Sequence, residues 1–234
     1  MKVIEDKNRE ELRVFATQEL QSLFKTYTNS PLLFLTSGGS SFELLENLKI
    51  EHPRFSIGVL DERYSTDSSS NNFVTLFQSQ FFKENEKQFL HVIDTRVQNG
   101  ESLDEFSSRF DTLLKDWKEE NSEGVIVATL GMGSDGHIAG IMPYPENAVI
   151  FEGLFNDPRR FVVGYDAESK NKYSLRATTN IPFLKEIDFA VGYITGDNKK
   201  EAFSRVIGQG TLHATPARVM HEMKNVTIFT DIEQ

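Results

Sequence analysis

Asp135 and His137 lie two residues apart in "TLGMGSDGHIAG", Thr129 to Gly140. A carboxylate beside an imidazole can fix the ring's tautomer and stabilise its protonated form, which makes the histidine a better general base. The same stretch spells G-x-G-x-x-G through Gly131, Gly133 and Gly136, the pattern of a dinucleotide cradle. The surroundings argue against that cradle. Pro143 arrives soon after His137, so any helix opening there is short. The acid that should close the next strand, about twenty residues on, falls in "FEGLFNDP", which does not read as a strand end, and Asp166 follows a later strand. The stretch reads better as a catalytic loop whose glycines shape a tight turn around a base; the alternative is a loop histidine that caps a helix.

Two other clusters could meet this loop. "SGGSS" (Ser37 to Ser41) offers Gly38 and Gly39 for close backbone approach and Ser40 for a hydroxyl. If a helix opens there, its free N–H groups complete a phosphate cradle; the alternative is a plain turn with a serine cap. "DERY" (Asp61 to Tyr64) puts two acids and Arg63 after an apolar run, either on a ligand-binding rim or in a solvated loop. Lys199 and Lys200 fall at a helix start, where cations oppose the dipole and an anion nearby would offset them. His91 and His213 read as structural or exposed, and His52 precedes a proline in a loop. No His/Asp/Glu spacing resembles a metal site.

The elements that must position these residues alternate. "PLLFLT" (31–36), "FSIGVL" (55–60), "QFLHVID" (88–94), "VIVATL" (125–130), "RFVVGY", "YSLRAT", "FAVGYIT" and "NVTIFT" read as strands. Phe42, Leu44, Leu45 and Leu48 share one helical face, and "NNFVTLFQSQFF" (71–82) and "KKEAFSRVIG" read as helices. The clearest helix carries Leu103, Phe106, Phe110, Leu113, Leu114 and Trp117 at spacings of three and four, with Ser102 and Glu105 at capping-box spacing. The polar cluster Ser65 to Asn72 is a loop, and no composition shift marks a linker. Residues 1–234 therefore form one α/β domain: three layers, a mostly parallel sheet with helices on both faces. In that architecture ligands bind at the carboxyl ends of the strands, where the three clusters lie.

Composition narrows the partners. The formal net charge of −10 disfavours nucleic acid and anionic membranes, both of which need a basic footprint. With no cysteine, disulfides, thiolate metal sites and cysteine nucleophiles are excluded. "MKVIEDKNREELRVF" has no continuous apolar core, so a signal peptide is not expected, and a cytoplasmic monomer is the default. Nineteen phenylalanines point to a Phe-rich core.

Taken in order, "LTSGGSS", "LDERYSTDSSSNN", "LGMGSDGHIAGIMP", "ITGDNKKEA" and "TPARVMHEMKNVTIFTD" resemble the family of 6-phosphogluconolactonases and glucosamine-6-phosphate deaminases over nearly the whole chain. The resemblance implies a NagB/RpiA-like (Rossmann-like) fold, a phosphorylated sugar lactone as substrate, and no metal or organic cofactor. It implies His137 as the base, Asp135 as its orienting partner, and Gly38, Gly39, Ser40, Asp61, Arg63, Gly131, Gly133, Arg176 and Lys199 around the substrate. Deaminases carry a glutamate where this chain has Met142 and usually an aromatic where it has Arg63, so the lactonase branch is favoured. The alternatives are a deaminase or isomerase, or a sugar-phosphate sensor without turnover. Departures from the lactonase pattern are Ser41 for proline, Ile138 as in deaminases, Lys172 for arginine and Arg176 for threonine.

Overall fold

The computed structural model describes residues 1–65 and 67–233; Thr66, within the expected polar loop, lies outside them. In chain order the elements are β1 (Lys2–Glu5), α1 (Arg9–Thr26), β2 (Leu32–Thr36), β3 (Phe55–Val59), β4 (Asp61–Arg63), α2 (Asn72–Gln78), α3 (Gln80–Asn85), β5 (Phe89–Val92) and α4 (Leu103–Glu120). There follow β6 (Val125–Leu130), α5 (Ala148–Phe155), β7 (Val162–Asp166), β8 (Leu175–Thr179), α6 (Ile181–Glu186), β9 (Phe189–Ile194), α7 (Lys200–Ile207) and β10 (Val226–Thr230). A seven-stranded parallel sheet has the order β1-β10-β9-β6-β2-β3-β5. From β2 the chain builds outward to β3 and β5; from β6 it builds the other way, to β9 and β10. The order reverses between β2 and β6, where loops diverge and leave a crevice.

Side chains alternate across this sheet with period two. Leu32 and Phe34 of β2 pack with Leu12, Ala16, Leu20 and Phe24 of α1 on one face. Leu33 and Leu35 pack with Phe106, Phe110, Leu114 and Trp117 of α4 on the other. Burying one such Phe or Leu stabilises the fold by about 1.5–3 kcal/mol. Trp117 also needs a partner for its buried indole N–H, and donates to Ser56 Oγ at 3.0 Å. The capping box on α4 forms as its spacing predicts, Ser102 and Glu105 each satisfying the other's backbone N–H.

Three expectations change. "RFVVGY" and "YSLRAT" become β7 and β8 of a separate antiparallel sheet, order β4-β8-β7, which packs against α4. The segment after β2 is a 3-10 helix, Gly39–Leu45, because Gly38 supplies no side-chain cap and the turn tightens. Residues 71–82 are two helices, broken where Ser79 turns to an extended ψ of 153° and bonds Leu76 O and Phe82 N through its hydroxyl. As read, "FEGLFNDP" does not end a strand: it is mostly the end of helix α5. The N-terminal β1 and α1 are further elements of the structure; β1 pairs with β10 at the sheet edge.

β4 joins the two sheets, and Glu62 is its anchor. Its buried carboxylate accepts from the N–H groups of Arg63 (2.7 Å), Asn72 (2.6 Å) and Phe73 (2.8 Å) and from the Thr95 hydroxyl (3.2 Å). Burial pushes the carboxyl up, to about 8, and the three N–H donors pull against that. Three of the four neighbours are N–H groups that can only donate, which favours the carboxylate; the Thr95 hydroxyl is the one group that can accept a carboxyl proton. Glu62→Gln places an amide NH2 against N–H donors. We expect a loss of about 2–3 kcal/mol in urea unfolding at neutral pH; unchanged or greater stability would mean that the native carboxyl is neutral.

Candidate active site

A cavity of about 160 Å³ opens at the crevice between β2 and β6. It is lined from the carboxyl ends of β2 (Ser37 to Ser40), β3 (Asp61, Arg63) and β6 (Gly131, Met132, His137, Ala139, Gly140), with Lys199 after β9. Asn72 of α2 and Arg176 of β8 complete the wall. Ser37 ties the two central strand ends together, its N–H donating to Thr129 Oγ1 (3.0 Å) and its hydroxyl to Thr129 O (2.8 Å).

His137 is held from behind. Asp135 Oδ1 lies 2.6 Å from His137 Nδ1 and also accepts from the His137 backbone N–H at 3.1 Å. With Nδ1 engaged, Nε2 is the ring nitrogen open to a ligand. Burial raises the Asp135 carboxyl, but the hydrogen bonds and charge of His137 outweigh it and leave the group below its ordinary value. Gly133 is required by contact: a Cβ there would lie 2.1 Å from both Nδ1 and Cε1 of the imidazole. Its N–H already donates to His137 O (3.0 Å), so Gly133 holds the loop and does not line the cavity, against the expectation of a substrate contact. Asp135 likewise stands behind the histidine.

No helix follows this loop directly. Met132 and Ile141 each bridge to Ile138, and the chain turns through Ala139 (φ 46°) and Gly140 (φ 76°). The turn is pinned by the second sheet: Thr178 donates its hydroxyl to Ala139 O, and the Tyr165 hydroxyl donates to Gly140 O at 2.6 Å while accepting from Met142 N at 3.3 Å. A side chain at Gly140 would strike Asp61, its Cβ 2.8 Å from Oδ2. Met142 itself is fully buried in the apolar core.

The opposite wall is charged. Asp61 is buried, as a rim residue would not be, and pairs with Arg176 at 2.6 Å rather than with Arg63. Asn72 Nδ2 donates to Asp61 O at 2.9 Å, and a Cβ on Gly38 would lie 2.6 Å from Asn72 Oδ1, so Asn72 links the glycine turn to the ion pair. Arg63 donates to Ser70 O (3.0 Å) and stacks over Tyr173 (4.6 Å). Burial lowers the Lys199 ammonium from its ordinary value, while Asp231 and Glu43 pull it back without a direct ion pair.

The structure brings Gly38, Gly39, Ser40, Asp61, Arg63, Gly131, His137, Arg176 and Lys199 to one cavity. The expected helix N-terminus behind Ser40 is instead the 3-10 turn. Asn72, Ala139 and Gly140 were not singled out; Asn72 carries no signal beyond a polar helix start. Ser41, where lactonases usually have proline, buries its hydroxyl without a partner among the described residues, beside Gly131. His52 is structural, bonded to Tyr27 O at 3.1 Å. Among the described residues no three His, Asp or Glu groups converge as metal ligands, and no helix is long and apolar enough to cross a membrane.

Gly133→Ala must displace the imidazole. We expect the downfield Nδ1–H proton resonance of an Asp-bonded histidine to disappear in the variant, with a stability loss of about 1–3 kcal/mol from overpacking; a retained resonance would show that Gly133 does not set the ring's position.

The chain matches the family described as "Glucosamine-6-phosphate isomerases/6-phosphogluconolactonase" over residues 10–229. A Dictyostelium discoideum protein named "Probable 6-phosphogluconolactonase" is 28% identical over 205 residues, which span 82% of this chain and 81% of the relative. A Clostridium beijerinckii protein named "Glucosamine-6-phosphate deaminase" is 25% identical, across 100% of this chain and 98% of its own. A solved 6-phosphogluconolactonase from Shewanella baltica superposes with a TM-score of 0.77 at 17% identity, covering 98% of this chain and 96% of that one. That likeness carries the fold, and the family match carries membership: the chain belongs to the glucosamine-6-phosphate isomerase/6-phosphogluconolactonase family.

Proposed function

We propose that this protein hydrolyses 6-phosphoglucono-1,5-lactone to 6-phosphogluconate, with His137 as the general base. The observation that carries the reading is an imidazole fixed by Asp135 over a cationic cavity in which, among the described residues, no free carboxylate stands beside it. Asp61, the carboxylate of the cavity wall, is bound to Arg176. The position that completes the deaminase relay is buried Met142, and the nearby Glu146 is turned to Lys170 at 2.7 Å. A base with Asp135 behind it and no second, relay acid at the Met142 position suits attack by water better than ring opening of an amino sugar. The relative named a probable 6-phosphogluconolactonase supports the same branch.

The phosphate sits at the Gly38 to Ser40 turn and Lys199, which holds the lactone carbonyl at the Gly131 to His137 loop. His137 Nε2 takes a proton from water as the water oxygen bonds to the carbonyl carbon. Asp135 stabilises the imidazolium. The carbonyl oxygen carries the charge of the tetrahedral intermediate. With the Gly133 N–H already engaged, Arg63 is the assigned donor to it, an interaction worth about 3 kcal/mol when well placed. Collapse breaks the bond from that carbon to the ring oxygen. The imidazolium returns its proton to the ring oxygen, leaving a C5 hydroxyl and a carboxylic acid that ionises.

The test is the initial rate on fresh lactone, with spontaneous hydrolysis subtracted. His137→Ala should lose about 10²–10⁴-fold in kcat, and Asp135→Asn should lose part of that. An unchanged rate in His137→Ala removes His137 as the base. Ammonia release from glucosamine 6-phosphate without lactone hydrolysis would assign the deaminase branch instead.

A further inference from the structure

The two peptide carbonyls between Asp135 and His137 are gripped from outside their loop. Gly136 O accepts from the Ala217 N–H at 3.0 Å, and Asp135 O accepts from Arg205 Nη2 at 3.4 Å. Gly136 stands at φ 89°, and a Cβ there would lie 2.9 Å from Thr215 Cγ2, so the loop is pressed against the segment that carries Ala217. That segment is a 3-10 turn, Pro216–His221, in which Ala217 is buried, as is Thr215 just before it. The second grip, Arg205, belongs to α7. The distance between the two grips therefore depends on what joins α7 to the turn.

Arg218 joins them. Its Nη1 donates toward Arg205 O (2.7 Å), Val206 O (3.0 Å) and Gly208 O. The last carbonyls of a helix have no partner within it and carry its negative dipole end, which a cation complements. His221, from the same turn, adds a bond from Nε2 to Val206 O at 2.8 Å. The side chain of Arg218 thus holds the main chain of Arg205, while the peptide N–H of the residue before it holds Gly136. The phosphate side is anchored separately. Lys199 N donates to Gly196 O (2.9 Å), and Gly196 N donates to Asp231 Oδ1 (2.8 Å).

We propose that Arg218, which stands outside the cavity, is a positioning residue for the reaction. It locks α7 to the 3-10 turn and so sets the Asp135–His137 pair. The inference rests on the proposed role of His137 as the base. Because Lys199 is held by other contacts, Arg218 acts on kcat and not on the binding of the lactone.

Initial rates of lactone hydrolysis and the downfield Nδ1–H proton resonance of His137 test this together. Arg218→Met should lower kcat roughly 10- to 100-fold, as a displaced catalytic group does, with KM unchanged and the resonance shifted or broadened. Arg218→Lys, which keeps the charge, should recover part of both. Arg205→Met, at a side chain 38% exposed, removes one grip without disturbing the core and should lower kcat by less, again at constant KM. Leu20→Ala, which opens the core under α1, should lower the melting temperature and leave kcat and the resonance as they are. A change in KM alone, an unaltered resonance in Arg218→Met, or an equal kcat loss in Leu20→Ala overturns the positioning role. If Arg218→Met does not fold, unchanged kcat in both Arg218→Lys and Arg205→Met overturns it. An unchanged rate in His137→Ala removes the base assignment alone; a lost rate there, with Arg218→Met behaving as wild type, removes the positioning role alone.

Discussion

The buried carboxylate of Glu62 is the joint on which the site depends. It gathers backbone donors from its own strand and from the first turn of α2, and a hydroxyl from the chain beyond β5. Those bonds fix β4 between the two sheets. Asp61, one residue earlier, then faces Arg176 on β8, and Arg63, one residue later, reaches Ser70 O. Three consecutive charged residues thus have three different fates, because alternate side chains of a strand leave opposite faces and β4 has a protein layer on each. A buried charge is tolerable only when fully hydrogen-bonded, and the Glu62 donor set meets that condition.

The small residues of the site serve close approach. The imidazole lies against Gly133, the Asp61 carboxylate against Gly140, and the Asn72 amide against Gly38. In each case a polar side chain of the site occupies the space that a Cβ would fill. A G-x-G-x-x-G string in a nucleotide cradle uses the same lack of side chain to admit a pyrophosphate; here Gly133 of the string admits the protein's own imidazole. The second sheet supplies the rest of the rigidity, through Tyr165 and Thr178 on the loop carbonyls. The parallel sheet aims the loops, and the antiparallel sheet pins them.

In the proposed reading, the choice between family branches turns on one position. Met142 is packed in the apolar core beneath the loop, so the site has a histidine with a single acid behind it. Its backbone N–H still serves, donating to the Tyr165 hydroxyl that secures Gly140. The side chain contributes packing and the backbone contributes geometry, which is why the loop keeps its shape without a relay acid.

Much of this was legible in the residues. Apolar runs and helical spacing located most of the strands of the parallel sheet and α4 with its capping box, since those signals are local and repeat along the chain. The Asp135 and His137 pair was legible because two residues on one tight turn must be neighbours. Local pattern could not separate the two sheets: β7 and β8 carry the same alternation as any strand, and only pairing with β4 shows that they are antiparallel. Nor could it reveal the break at Ser79 or the 3-10 turn after Gly38, where side-chain hydrogen bonds and missing caps decide between helix types. By itself the sequence determined the alternating α/β order, the glycine loop that carries Asp135 and His137, and the groups near it. The tertiary structure alone decided that Asp61 belongs to Arg176, a residue 115 positions away, and that two arginines share one wall. Long-range ion pairs leave no periodic trace in a chain, because sheet pairing and the desolvation of the paired groups create them together.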